Sequence, residues 1–506
     1  MSDQIDEVVI VGGGDSGLLT ALSIDRMNLE IDVSVVDDFD RAVPQVGKST
    51  FLAIQQVLHD SLGIDEREFV STVKPVWKAS VYFRDWCGNE PFHYPFDLGG
   101  NFPNPDEPDS LQGFYYFYET LHNSPDHRTK CEEMVAQGKS PWYFSPRDGG
   151  TRRYDNVAYH LDTERFNAFL RTRCRERGVS LVDDEVVTVD AAGDRIKRLR
   201  GRSRAYEADL YVDASGFSRV IKGEQSDGFR EFDLPLDAAL NARSAIDLSE
   251  VVPATVIDTG DHGWFWQIDT FDNRDRGYVY ASDYVSEEDA RAEFVEHCEG
   301  IAAEDVAKYD FTSGYYERAW VENCVAIGNA EGFVEPLQST GLTANAKAAV
   351  TLANLLAGRG RVADDALRES YNSWVSRGWE SIYDFISLHY AYADGDTAFW
   401  EAAQSIDLSD RMELLVGAFD RHGFDTTVDP VMERTEVEDL LFFRPRNFFA
   451  LARSMGATSA FYEANDFEVS EESERRAAEY YGNIREQVGD HYDHREFYHG
   501  ALGQQF

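Results

Sequence analysis

Val8-Val9-Ile10-Val11-Gly12-Gly13-Gly14-Asp15-Ser16-Gly17 is the stretch that decides the fold. Four β-branched residues in a row suit a strand buried on both faces, and the glycines behind them suit a tight turn. Leu18–Met27 continues with helical spacing. Ile31–Val36 reads as a second strand, and Asp37 stands at its end, twenty residues beyond Gly17. Strand, Gly12-x-Gly14-x-x-Gly17, helix and acid together predict a βαβ dinucleotide-binding unit. The glycines let backbone N–H groups and the helix N-terminus approach a pyrophosphate, and the carboxylate takes ribose hydroxyls. Gly47-Lys48-Ser49-Thr50 imitates the end of a P-loop, but that motif needs a glycine five positions before Gly47, where Ala42 stands. The P-loop reading is rejected.

Working outward, Ile54–Leu62 reads as a helix. Val76–Phe83 reads as one strand with Val76, Lys78, Ser80 and Tyr82 on a common face. From Gly88 to about Arg153 the text is rich in Pro, Gly, Asn and aromatics, without helical period until Met134, as in a loop-rich substrate region. Thr163–Arg177 is helical, Leu210–Val212 a short strand, and 231–320 a run of strand-like pieces. Gly341–Leu356 is an Ala-rich helix, and helical patterns dominate from Asp364 to the acidic segment 464–475 and the tail. Two further strand-to-small-residue turns choose the cofactor. Asp209–Gly216 is one, and Cys324–Ala330 is the other, followed by Glu335-Pro336-Leu337-Gln338-Ser339-Thr340-Gly341 and the long helix. Three such segments spread over more than 300 residues suit FAD stretched along a domain better than NAD in one crevice. The expected architecture is α/β. An FAD-binding Rossmann-like domain (1–78, 156–230 and 321–358) interleaves with a substrate-region insert (79–155) and a mixed substrate sheet (231–320), before a helical C-terminal region (359–506).

The 506 residues include 92 Asp or Glu against 48 Lys or Arg, a formal net charge of −44. A field that negative repels phosphate backbones and anionic lipid, so neither nucleic acid nor a membrane surface is an expected partner. The 43% apolar fraction argues against disorder. No run approaches 18 apolar residues, and a strand beginning at Val8 leaves no room for a signal peptide, so a cytoplasmic location is expected. Five scattered cysteines without a CxxC argue against disulfides and zinc. Twelve histidines without an HExxH give no metal site. Only nine of the 48 basic residues are lysines. Dense carboxylate with little lysine suggests a salt-rich cytoplasm, where screening suppresses self-repulsion.

Several of these segments, taken in order, resemble the flavin-dependent halogenases, particularly the tryptophan-halogenase-like group. They are Val11–Gly17, Val46–Thr50, Leu62–Phe69, Trp77-Lys78-Ala79 and Ala158–Asp162. Asp213–Phe217, Trp264-Phe265-Trp266-Gln267-Ile268, Gly328–Gly341 and Asp384–Tyr390 complete the set. The resemblance implies that FADH₂, oxygen and a bound halide yield hypohalous acid, which reaches a lysine beside an aromatic substrate. A separate flavin reductase would supply the FADH₂. Lys78 matches that lysine, and Gln338 matches the family's assisting carboxylate. Thr340 and Gly341 match the residues whose backbone amides hold the halide. Gly12, Gly14, Ser16, Gly17, Asp37, Gly47, Ser49, Thr50, Val186, Asp213, Gly328, Asn329 and Leu342 match FAD-binding positions. Trp264 and Trp266 match a wall between flavin and substrate, and His93 and Phe96 fall where the family builds its substrate pocket.

The residues read alone leave alternatives open. Lys78 flanked by Trp77, Ala79 and Val81 is a partly buried amine with a depressed pKa, or a lysine snorkelling from a half-exposed strand. Thr340 is also readable as an ordinary N-cap. Trp264 and Trp266 are also readable as core, His93 and Phe96 as core packing of the loop-rich insert, and His389 as structural. Asp269 stands where the family has Pro, and Gln338 stands where its tryptophan-acting members have Glu. A neutral amide supplies neither a base nor full charge stabilisation, which points to a more activated arene than tryptophan, such as a phenol or pyrrole. The alternatives are a flavin monooxygenase or prenyl-lipid reductase on the same scaffold, or a flavin-binding protein without halogenation.

Overall fold

The computed structural model describes residues 4–41, 46–98, 126–225, 228–422, 443–464 and 471–502. Much of the loop-rich insert and part of the acidic segment 464–475 therefore lie outside the described residues. The chain divides into two compact units, each assembled from three stretches. One comprises Met1–Lys74, Leu161–Phe232 and Thr312–Glu380, the other Pro75–His160, Asp233–Phe311 and Ser381–Phe506.

The first unit is built on a six-stranded sheet in the order Ser180–Asp183, Asp32–Asp37, Glu7–Val11, Leu210–Asp213, Cys324–Ala326, Trp320–Val321. The first five strands run parallel and only the last pair is antiparallel. Val8 and Ile10 are fully buried on one face, and Val9 and Val11 almost fully on the other, which explains the unbroken apolar run. Under the Val9 and Val11 face lie Ile196, Leu199, Tyr206 and Ile221. Ile196, Leu199 and Tyr206 belong to a small antiparallel sheet made of Val186–Ala192, Arg195–Gly201 and Ala205–Tyr206. The helices Asp15–Arg26, Thr163–Glu176 and Gly341–Gly358 fall within two residues of their expected ends, apart from the three-residue earlier start at Asp15. Ile54–Leu62 differs: Leu62 N donates to Val57 O, five residues back, and the segment forms a wide turn over Gln56–Ser61.

The second unit carries a seven-stranded sheet in the order Ala307–Asp310, Ala238–Ala245, Asn273–Tyr280, Gly263–Asp269, Ala254–Gly260, Ser80–Phe83, Phe92–Pro95. All pairings are antiparallel except that of Ser80–Phe83 with Ala254–Gly260. A helix at Glu287–His297, which the strand-like reading of 231–320 did not contain, covers it with Ala290 and Phe294. Helices dominate the described part of this unit after residue 398.

The expected single strand Val76–Phe83 is two. Val76–Lys78 pairs with Ala158–His160, whereas Ser80–Phe83 belongs to the large sheet. Ala79 is the joint: its N–H donates to Pro253 O at 2.8 Å and its carbonyl accepts from Phe96 N at 3.1 Å. Lys78 is thereby the last residue of its strand. Among the described residues no helix is long and apolar enough to cross a membrane.

Candidate active site

In the first unit the glycine turn is fixed by close backbone approach. Gly12 has φ +113°, and a Cβ there would lie 2.2 Å from Ala214 O. One on Gly17 would lie 1.9 Å from Gly12 O. A Cβ on Gly14, in contrast, would meet nothing within 4 Å. Gly14 therefore faces open space at the start of helix Asp15–Arg26, which is what a pyrophosphate needs. Asp37 accepts from Gly13 N at 2.7 Å through Oδ2 and from Asp38 N at 2.9 Å through Oδ1, so the acid at the strand end sits against the turn. Asp184 N donates to Asp37 O at 3.0 Å, bringing the segment that carries Val186 alongside. Ser16 Oγ accepts from Asn345 Nδ2 at 3.3 Å, and a Cβ on Gly328 (φ +78°) would lie 2.5 Å from it. Ser16, Gly328 and the helix Gly341–Gly358 thus meet. Phe51 N donates to Thr343 Oγ1 at 3.0 Å, tying the Gly47–Thr50 segment to the same helix.

Asp213, expected among the cofactor-binding residues, is bonded to the turn that follows its strand. One carboxylate oxygen accepts from Ser215 N and Oγ, at 3.0 and 2.6 Å. The other accepts from the amides of Ile221 and Lys222, both at 2.8 Å. Its side chain thereby shapes the turn after the strand. Thr340 also departs from the capping alternative. It precedes helix Gly341–Gly358 without a side-chain cap bond, and its buried Oγ1 finds no hydrogen-bond partner among the described residues. Ser339 before it takes φ +57°, a left-handed turn into the helix. A Cβ on Gly341 would meet nothing within 4 Å. An orphaned hydroxyl, free first-turn amides and open space at Gly341 fit a small anion, and the open turn at Gly14 fits a dinucleotide. Gln338 and Leu342 are buried beside them, and Asn329 is half-buried.

Two groups of this unit escaped the sequence reading. Glu331 is buried, accepting from Trp379 Nε1 at 2.8 Å and Tyr371 OH at 3.3 Å, and burial pushes its carboxyl up to about 7. It anchors the Gly328–Gly341 segment. Lys48 pairs with Asp15 at 2.8 Å, Nζ to Oδ2. Burial alone would raise the Asp15 pKa, but the Lys48 charge and hydrogen bonds from Lys48 and Ser16 hold it below its usual value. Nothing in spacing announces either group.

In the second unit Lys78 is fully buried, more than the partly buried amine expected, and its Nζ lies 5.4 Å from the centre of the Phe96 ring. Burial drives its pKa well below the usual lysine value, towards a neutral amine. On the paired strand Lys78 faces Ala158, and His160, opposite Val76 and also fully buried, is its diagonal neighbour. Its Nδ1 lies 3.1 Å from Asp269 O and its Nε2 2.9 Å from Thr255 Oγ1. Burial holds the pKa of that imidazole well below its usual value. Asp269, at the position of the family's Pro, sets its carbonyl oxygen as an acceptor against His160 Nδ1, and its carboxylate accepts from Arg274. Of the two expected pocket residues, Phe96 is beside Lys78. His93 is committed to Tyr82, stacked at 4.2 Å, and to Ser80 Oγ at 3.0 Å, with burial pushing it down to about 3. Trp264 and Trp266 share a face of Gly263–Asp269, their rings 6.1 Å apart. Trp266 lies across Gly277 on the neighbouring strand. His389 is buried with Nδ1 2.8 Å from Phe385 O, a structural role.

A family described as tryptophan halogenase matches residues 7–466. Tryptophan 7-halogenase RebH of Lentzea aerocolonigenes is 29% identical over 440 residues, 82% of this chain and 81% of RebH. MibH, a tryptophan 5-halogenase of known crystal structure, superposes with a TM-score of 0.84 at 27% identity, covering 99% of this chain and 94% of MibH. BrvH, a flavin-dependent halogenase from Brevundimonas sp. BAL3, gives a TM-score of 0.83 at 26% identity, with 99% of each chain covered.

Proposed function

The chain belongs to the tryptophan halogenase family, and from that premise we propose that it exchanges a ring hydrogen of an electron-rich arene for chlorine or bromine at Lys78. It is a flavin-dependent enzyme of the halogenase type. Bound FADH₂ would supply the two electrons with which oxygen and halide become hypohalous acid and water, and a separate flavin reductase would renew it. Gly12, Gly14 and Gly17 give that cofactor its phosphate turn, Asp37 its ribose acceptor, and Ser16, Gly47, Ser49, Thr50, Val186, Gly328, Asn329 and Leu342 its flanks. The amides at Thr340 and Gly341 hold the halide, for which open space and an unsatisfied hydroxyl are ready.

The observation that carries the role of Lys78 is a fully buried amine, driven towards neutrality, beside the face of Phe96. A neutral amine accepts a hydrogen bond from the acid's O–H and leaves the halogen for the ring. The arene carbon forms its bond to halogen, the O–halogen bond breaks, and the ring proton leaves with hydroxide as water. Phe96 offers the arene an aromatic wall, and Trp264 and Trp266 keep the flavin from reacting with it directly. Gln338 contributes an amide where a carboxylate would stabilise a cationic ring, so phenols and pyrroles are expected before tryptophan.

The test is mass spectrometry of products from purified protein with FAD, a flavin reductase, NADH, bromide and a panel of indoles, phenols and pyrroles. A brominated product that disappears in Lys78→Ala and Lys78→Met, with FAD binding intact, is the expected result. Bromination surviving in both variants removes Lys78 from the mechanism, and a product gaining one oxygen overturns halogenation itself.

A further inference from the structure

The turn that would receive the pyrophosphate carries its own anion. Asp15, immediately after the open Gly14, opens helix Asp15–Arg26 and points its carboxylate back at the helix start. There it accepts from Ser16 N at 2.8 Å and from Ser16 Oγ at 3.3 Å. A carboxylate there is favoured by the helix dipole, for the same reason that a phosphate is, and the two compete for one patch of positive potential. On a chain of net charge −44 the competition is severe. Lys48 answers it. Its ammonium is 2.8 Å from Asp15 Oδ2, its side chain is about one-third exposed (35%), and the carboxylate is mostly covered (14%). An ammonium has three donors, and the pair with Asp15 uses one.

Resting on the FAD reading above, we infer that Lys48 is a charge-balancing cofactor residue: it cancels Asp15 and turns a donor to the pyrophosphate, so that the turn admits a dianion only while Lys48 is cationic and in place. The Gly47–Thr50 segment is the arm that delivers it, fastened by Phe51 N to Thr343 Oγ1 on helix Gly341–Gly358. The function is electrostatic, so Arg serves in place of Lys. Removing Asp15 has the opposite sign to removing Lys48.

The experiment is equilibrium titration of the full chain with FAD, read by flavin fluorescence, and with ADP as a competitor, at fixed salt, beside a thermal melt of each variant. Lys48→Met is expected to weaken both ligands about tenfold or more, the scale of a lost charge-assisted contact, whereas Lys48→Arg stays within about threefold of wild type. Asp15→Asn, which keeps an oxygen for Ser16 N, is expected to bind FAD about threefold more tightly, and in the Lys48→Met background to recover most of the loss. Lys48→Met binding FAD as wild type does, Asp15→Asn weakening it, or no recovery in the double variant each overturn the inference and leave FAD binding intact. Failure of the wild-type chain to bind FAD is a different result, because it removes the FAD reading itself.

Discussion

A carboxylate that folding forces to hold its proton leaves a pH signature, and Glu331 is such a group. Its carboxyl sits near 7 in the fold against a usual value of 4.5, because burial outweighs the hydrogen bonds from Trp379 and Tyr371. Between those pH values the folded chain keeps a proton that the unfolded chain has released. Its contribution to stability is therefore complete below pH 4.5 and is lost as pH rises to about 7, by roughly 3 kcal/mol. The melting temperature of the wild type should fall between pH 5 and pH 8 relative to that of Glu331→Gln, whereas parallel curves would show that Glu331 does not titrate there. Glu331 and the Asp15–Lys48 pair were not legible in the sequence for one reason. Each owes its character to partners far along the chain, Tyr371 and Trp379 in one case and a 33-residue separation in the other. The full burial of Lys78 was only half legible, because Trp77 and Ala79 beside it suit a buried amine and a snorkelling lysine alike, and the pairing that covers it comes from residues 158–160.

At the scale of elements, the strand–turn–helix at the N-terminus could be read because everything that specifies it lies within thirty residues. The joint at Ala79 could not. Alternation from Val76 to Phe83 is the same whether one sheet takes all eight residues or two sheets take them in turn, and only the bonds to Pro253 and Phe96 decide. The helix Glu287–His297 was missed because only Ala290 and Phe294 are buried, too few for a visible period, although Ser286 capping Asp289 N announces its start. Gly277 tests the aromatic wall. It lies opposite Trp266 in the ladder, and a Cβ there would fall 1.9 Å from the indole. Gly277→Ala should cost about 1–3 kcal/mol in a urea titration and shift tryptophan emission as Trp266 is pushed aside. Unchanged stability and emission would mean that the indole does not rest there.

For the whole molecule the charge is the dominant fact. Ninety-two acids on 506 residues repel one another in the folded state, and most of that energy disappears once ions screen it. From about 0.1 M to about 3 M KCl the screening length falls from ~10 Å to below ~3 Å, and the melting temperature should climb by several degrees. A melting temperature indifferent to salt would sink the expectation of a salt-rich origin.

The first unit takes its parallel strands from residues 7–11, 32–37, 180–183, 210–213 and 324–326. A ribosome adding roughly 5–20 residues per second needs roughly 15–60 s to travel from Val11 to Cys324. For that interval the nascent chain holds out Val8–Val11, apolar on both sides, and Val33, Val35 and Val36, with the sheet unfinished. Synthesis speed and chaperone capacity thus become part of what this topology demands of its host, and slow, cool expression is the natural way to produce it.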